Sequence, residues 1–306
     1  MGFWLQWTKR LTGGFVLAFH EIPPERLARF VECLAPDQPV PLTEITRRLA
    51  QRRSTRGLFA ITVDDGVGDN VRALSRLFLA RQWPATFYLP VQYLETGEGM
   101  AFQWWRRLAP YLPPRKLALH GGVLDLSRRG ALRKTAEQME LWWHSKPLGA
   151  YWPMIQELVE VVEREGISRS RLQPELPISW QEARELAQTD LIRFESHGVT
   201  HTAMSALTDD ELVFELKHSR DVVSERCGRD CRHLAYPFGS PLAIGERAAA
   251  LARRYYDSAA TMSAGAADGC AAPWLLPRIP LYATNSLVAA RVKTRLRYSR
   301  PGPHAS

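Results

Sequence analysis

Short apolar, β-prone runs recur along this chain, separated by amphipathic stretches. They are FVLAFH (15–20), LFAITV (58–63), ATFYLP (85–90), LIRFES (191–196), HLAYPF (233–238), YDSAAT (256–261) and LPRIPL (276–281). Runs of this length and composition predict strands, and the stretches between them predict helices. Two helix starts are marked by S/T-x-x-E capping boxes, at Ser179 and at Thr208, and Asn285 is a candidate cap for the last helix. Alternating strands and helices predict a parallel sheet, closed or open, whose functional residues gather at the C-terminal ends of the strands. Residues 95–178 break the rhythm. That block is Trp-rich and reads as mostly helical, an insertion near the mouth of the barrel whose tryptophans are core rather than a sugar platform.

A length of 306 residues suits one domain, 1–306, of the size of an α/β barrel. The composition, 45% hydrophobic and 24% charged, is that of a globular protein, and no apolar run approaches the roughly 18 residues of a membrane helix. The opening residues lack the apolar core and small-residue cleavage site of a secretory signal, so a cytoplasmic location is expected. The FWLQW stretch with Lys9 and Arg10 suits either peripheral contact with the inner face of a membrane or a packed N-terminal segment. Cys33, Cys227, Cys231 and Cys270 are too few for a disulfide framework, and the C-x3-C pair reads as structural thiols.

Lys and Arg number 40 against 32 acids, a formal charge of +8, and residues 101–150 hold nine bases against three acids. Such a balance favours acidic partners: a phosphate-bearing lipid or nucleotide carrier, or anionic lipid. No zinc-finger, RNA-recognition or basic-zipper pattern accompanies it, so nucleic acid is not an expected partner.

The second run ends in Asp64-Asp65-Gly66. Adjacent strand residues face opposite ways, so both carboxylates can reach one site only where the chain leaves the sheet, which Gly66 permits. Two close carboxylates repel unless a cation sits beside them. The alternative is that Asp64, Asp65 or Asp69 caps the helix beginning near Asn70. In ESHGVTHTAM, His197 and His201 lie four apart, so that a helical turn would put both imidazoles on one face. If Asp65, His197 and His201 hold one divalent ion, Asp64 remains over as a general base, a role that H-E-x-x-H enzymes give to the residue that is Gly198 here.

With these segments in place the chain resembles the polysaccharide deacetylase family of carbohydrate esterases. TVDDG matches its T-F-D-D-G motif, SHGVTH its S-H-[ST]-x-x-H-like motif with Gly198 at the usual Ser or Thr, and AYPFG a variant of R-x-P-Y; PATFYL and LAFHEI also look like the family. The resemblance implies a distorted, complete or incomplete (β/α) barrel that hydrolyses an N-acyl group, usually acetate on an amino sugar. It implies Asp64 as catalytic base and Asp65, His197 and His201 as metal ligands, with zinc expected first and cobalt, nickel or manganese as alternatives. Tyr236, Pro237, Phe238 and Gly239 would line the acyl pocket, with a backbone N–H near Phe238 helping to stabilise the oxyanion.

Two departures stand out. Many members carry an Arg two residues before the motif's Pro, to orient the base, and here that position is Ala235. They also carry a late L-x-H whose His is the general acid, and here the segment reads LLPRIPL. Arg278 is the expected replacement partner of Asp64, against the alternative of a rim residue, and His20 is the candidate acid. The expected function is metal-dependent removal of an N-acyl group from a glycan or from a lipid-linked or nucleotide-linked amino sugar. A glycan-binding or carrier-binding pseudoenzyme and a deformylase or other C–N amidase are the alternatives.

Overall fold

The computed structural model describes residues 9–10, 13–119, 122–127, 152–269 and 271–297. Each of the seven apolar runs supplies a strand: β1 Phe15–Phe19, β2 Leu58–Val63, β3 Ala85–Leu89, β4 Ile192–Ser196, β5 His233–Ala235, β6 Ser258–Ala260 and β7 Ile279–Pro280. Their order is β6-β5-β4-β3-β2-β1-β7, every pair parallel, with the short strand Gln38–Pro39 also paired to β2. The parallel sheet thus curls in chain order into a (β/α) half-barrel with helices around it. Residues 276–280 staple its two edges: Leu276 bridges Ala260 beside β6, and β7 pairs with Leu17 and Ala18 of β1.

Both faces of the strands are covered, which is why they read as continuous apolar runs. Large side chains point outward under the helices: Phe15 stacks on Phe59 at a matched register position, ring centroids 5.4 Å apart, and Phe87 stacks on Phe194 at 5.6 Å. The barrel interior is narrower and takes Val16, Ala60, Ala235 and Leu276 around Tyr88. Several strands stop earlier than their apolar runs. β5 ends at Ala235 rather than at residue 238, because Phe238 adopts a left-handed backbone (φ +60°) that no ladder accepts.

Both capping boxes form. Ser179 Oγ accepts from Glu182 N at 3.2 Å while Glu182 Oε2 accepts from Ser179 N at 3.1 Å, and Thr208 and Glu211 exchange the same bonds. Asn285 does not cap the last helix, Leu287–Arg295. Ser286 Oγ accepts from Ala289 N instead, and Asn285 Oδ1 accepts from Tyr282 N and Lys293 Nζ. Among the described residues no helix is long and apolar enough to cross a membrane.

The 95–178 block is not purely helical. Helices Ala101–Leu108, Trp152–Arg164 and Arg169–Leu172 accompany an antiparallel hairpin, Lys116–Leu119 with Gly122–Asp125. Alternation of Leu117 and Leu119, then Leu124 and Leu126, was the strand signal there. Trp104 and Trp105 are buried in the block's own apolar cluster with Leu108, Leu158 and Val162. The FWLQW stretch, Trp142, Trp143, the bases from Arg128 to Lys146, and Cys270 lie outside the described residues. Cys227 and Cys231 are buried free thiols, and burial pushes the Cys227 thiol up to about 12, the state of an inert core residue.

Candidate active site

Asp64 N still donates to Phe19 O at 2.9 Å, and then the chain reverses. Sequence reasoning assigned that reversal to Gly66. In the structure Asp65 shares it, with φ +74° at Asp65 and +67° at Gly66. A left-handed Asp is tolerated at a cost of roughly 1 kcal/mol. The turn is locked by Ile178 N donating to Gly66 O at 3.0 Å, and a Cβ on Gly66 would come within 2.8 Å of Leu89 Cδ2. The next helix starts at Gly68 behind Val67 and has no side-chain cap, while Asp69 pairs with Arg72 at 2.9 Å. None of the three acids is therefore a cap, and Asp64 and Asp65 are left buried at the barrel mouth.

His197 follows β4, anchored by its N–H to Leu89 O at 2.9 Å. The expected helical turn from His197 to His201 does not form. Gly198 (φ +78°) and His201 (φ +57°) fold the segment into a reversed loop, which still brings both Nε2 atoms to 3.6 Å from Asp65 Oδ1. His197 Nδ1 lies 2.7 Å from Ala235 O. A carbonyl only accepts, so Nδ1 carries a proton, and Nε2 is the nitrogen turned toward Asp65.

These three residues fit a divalent cation. Their donor atoms lie within 4.8 Å of one another, the spacing of ligands each about 2 Å from a shared ion, and among the described residues no other such trio exists. Asp65 Oδ1 is buried without a hydrogen-bond partner there, and a buried oxygen of that kind costs stability unless a cation answers it. Charge points the same way. Burial raises the Asp65 carboxyl, yet the surrounding histidines hold it well below the usual range. Burial, aided by His197, pushes His201 down to about 3; His197 is also pushed down by burial but ends above its ordinary value because of the Asp65 and Asp64 carboxylates. One neutral imidazole, one imidazole that favours a positive charge and a firm carboxylate make a cation-seeking pocket.

Asp64 faces Arg278. The guanidinium is fully buried, not on the rim. Its Nη1 and Nη2 each donate to one Asp64 oxygen at 2.7 Å, Nη1 also to Thr62 Oγ1 at 3.1 Å, and Nε to Thr261 O at 3.0 Å. The edge-closing staple delivers it, and its cationic carbon lies 5.5 Å over the Tyr88 ring. Burial pushes the Asp64 carboxyl up, but Arg278 outweighs it and holds the group below its ordinary value.

Above these groups opens a cavity of about 500 Å³, lined in part by His20, Phe102, Trp105, Tyr236, Phe238 and Tyr282. His20 Nε2 is 3.9 Å from Asp64 Oδ2, on the partly exposed side. Phe238 meets the His201 ring edge-on at 4.9 Å. Tyr236 lines the wall while its hydroxyl donates to Trp274 O at 3.0 Å. Pro237 and Gly239 are not among the lining residues: Gly239 N donates to Pro237 O at 2.7 Å, and a Cβ on Gly239 would lie 2.6 Å from Met262 N. The 95–178 block supplies Phe102, Trp105 and Arg106, the last paired with Glu21 at 2.8 Å. Trp105 is thus both core and cavity wall.

Sequence reasoning missed Glu215, whose buried carboxylate grips the loop carrying the histidines. A signal existed. Leu212, Leu216, Ser219 and Val223 form the buried stripe of their helical segment, and Glu215 stands on that stripe, where a charge needs a partner.

The solved structures most useful for comparison share the fold at low identity. A Streptococcus pyogenes deacetylase, PplD, in complex with acetate, superposes with a TM-score of 0.57 at 14% identity, covering 94% of this chain and 99% of that one. The deacetylase domain of BpsB from Bordetella bronchiseptica gives 0.56 at 14%, covering 87% and 95%. A de-N-acetylase from Aggregatibacter actinomycetemcomitans gives 0.54 at 12%, covering 92% and 99%. No curated protein matches the chain significantly. The family described as polysaccharide deacetylase matches residues 51–255, a span holding both acids and both histidines of the mouth, and the chain belongs to that family.

Proposed function

We propose that this chain is a metal-dependent hydrolase that removes an N-acetyl group from an amino sugar. One observation carries the reading: three buried side chains converge on a cation-sized space, and a fourth, Asp64, stands beside it, fixed by a buried Arg rather than used as a ligand. Asp65, His197 and His201 would hold the ion, zinc in the first instance with cobalt, nickel or manganese as substitutes. When bound, the ion supplies Lewis acidity, polarising the acyl carbonyl and acidifying water.

The chain's own groups do the rest. Asp64, kept ionised by Arg278, takes the proton of the attacking water as its oxygen bonds to the acyl carbon. The Phe238 N–H stabilises the oxyanion, and the Tyr236–Gly239 segment encloses the acyl group. As the C–N bond breaks, His20 protonates the leaving amine, giving acetate and a free amino sugar. The acetate complex of PplD supports an acetyl group. A formal charge of +8 supports a sugar borne on a phosphate-containing lipid or nucleotide carrier.

Acetate release from a panel of lipid-linked and nucleotide-linked N-acetylhexosamines, with and without chelator, tests the proposal. Chelator-sensitive acetate release is the expected result. A protein that binds the ion and the saccharides yet releases no acetate is a binding protein of the same fold, and the proposal fails.

A further inference from the structure

Both imidazoles ride on the loop 197–201, which contains two left-handed residues, Gly198 and His201. We infer that Glu215 is the positioning residue that fixes this loop and with it the spacing of the two histidines around the ion; the inference rests on the metal site proposed above. A single carboxylate, 1% exposed, collects the loop's donors: Val199 N to Oε2 at 2.6 Å, Thr200 N to both oxygens at 3.2 and 3.3 Å, and Thr200 Oγ1 to Oε1 at 2.5 Å. The loop's carbonyls are held from the opposite side, with Val91 N donating to Gly198 O at 3.1 Å and Gln92 N to Val199 O at 2.8 Å. The peptide groups between the two histidines are therefore gripped from both directions. Bonds to a buried carboxylate are charge-assisted and stiffer than neutral ones.

Gly198 and Glu215 are a matched pair. A Cβ at residue 198 would sit 2.8 Å from Glu215 Oε2, so the carboxylate occupies the space that a side chain would need. This gives a physical reason for glycine where the family's motif usually has Ser or Thr. Glu215 is aimed there by a π-helical turn, Phe214–His218, between the helices Asp209–Val213 and Ser219–Cys227, and the Ser219 hydroxyl donates to Glu215 O at 2.5 Å. An extra residue in a helical turn re-aims the side chains around it, and such turns cluster at functional sites.

The test measures Zn²⁺ affinity of the metal-stripped full chain by competition with a chelating dye. Wild type, Glu215→Gln and Thr200→Val are compared, each with its thermal midpoint without metal and its Co²⁺ absorption spectrum. Glutamine keeps the size but turns an amide NH₂ toward N–H donors; valine removes only the hydroxyl bond. Substitution of groups that orient ligands weakens metal binding by about 10–100-fold. Glu215→Gln is expected in that range and Thr200→Val, which loses one hydrogen bond, at about threefold or more, with shifted Co²⁺ bands. Wild-type affinity and spectra in both variants overturn the inference while leaving the metal site intact. A wild type that binds neither ion refutes the metal site and this inference together. If Glu215→Gln does not fold, Thr200→Val decides alone, and unchanged affinity there overturns the inference.

Discussion

Replacing Arg278 by Lys separates geometry from charge at the proposed base. The guanidinium reaches both Asp64 oxygens, Thr62 Oγ1, Thr261 O and Met262 Sδ from one rigid plane. An ammonium keeps the charge, but its donors radiate from one atom and cannot form the same two-pronged clasp. At least one charge-assisted bond to Asp64 is lost, worth about 1.5–3 kcal/mol. At about 1.4 kcal/mol per decade, kcat/KM should fall roughly 10–100-fold if that bond orients the base. Arg278→Met goes further and leaves a buried carboxylate without its counter-ion, a change that costs about 3–5 kcal/mol and lowers the thermal midpoint by roughly 6–20 °C.

The pH dependence carries a definite sign. Asp64 is held below its ordinary value because Arg278 outweighs burial. A depressed carboxyl contributes stability above its unfolded pKa and loses it as pH falls through the folded value. With Met at 278 burial is opposed only by the nearby imidazoles, the carboxyl rises, and the acid limb of kcat/KM moves to higher pH. The assay is acetate release across pH together with thermal melts. Wild-type turnover at every pH in Arg278→Lys, or an unmoved acid limb in Arg278→Met, would refute the pairing as the source of base activity.

Asp64→Asn should keep ion binding and lose about 10²–10⁴ in turnover, whereas Asp65→Asn should lose the ion itself; dialysis against chelator followed by metal analysis distinguishes them, and equal metal content with equal activity loss contradicts the division of roles. His20→Ala should lower kcat by about 10²–10⁴-fold, and wild-type turnover in that variant removes His20 as the acid. Burial pushes Glu195 up to about 7 although Oε2 accepts from Arg232 N and His233 N. The folded state therefore retains a proton that the unfolded state has released, so this group's stabilisation is full below the unfolded pKa and declines as pH rises to about 7. Glu195→Gln should flatten the fall in chemical-denaturation stability between about pH 5 and 8 by something of order 3 kcal/mol, and identical pH slopes in the two proteins defeat that expectation.

The strands were legible because strands covered on both faces are mostly apolar, a mark plainest in FVLAFH, LFAITV and ATFYLP. Asp64, Asp65, His197 and His201 were legible as a set because their chemistry makes sense only together. The conformation of the His197–His201 loop was not. Spacing alone suits a helical turn, and the reversed path depends on Glu215, which is distant in sequence and speaks only through a buried charge. The 116–125 hairpin was hidden by its Trp-rich helical surroundings. Asn285 was misread because Ser286, one residue on, competes for the same capping role. Arg278 was nominated as a base at the end of the last strand; it instead directly precedes β7, and its burial follows from barrel closure, which no local pattern encodes.

That closure has a consequence for biosynthesis. Arg278 lies 214 positions after Asp64 and reaches it only on the segment that joins the two sheet edges. A nascent chain can display every proposed metal ligand while the proposed base still lacks a counter-ion, so hydrolytic competence should emerge only when translation has passed the final strand. By the same reasoning, a single proteolytic nick that frees residues 276–280 would disarm the enzyme without cutting any strand that bears a ligand.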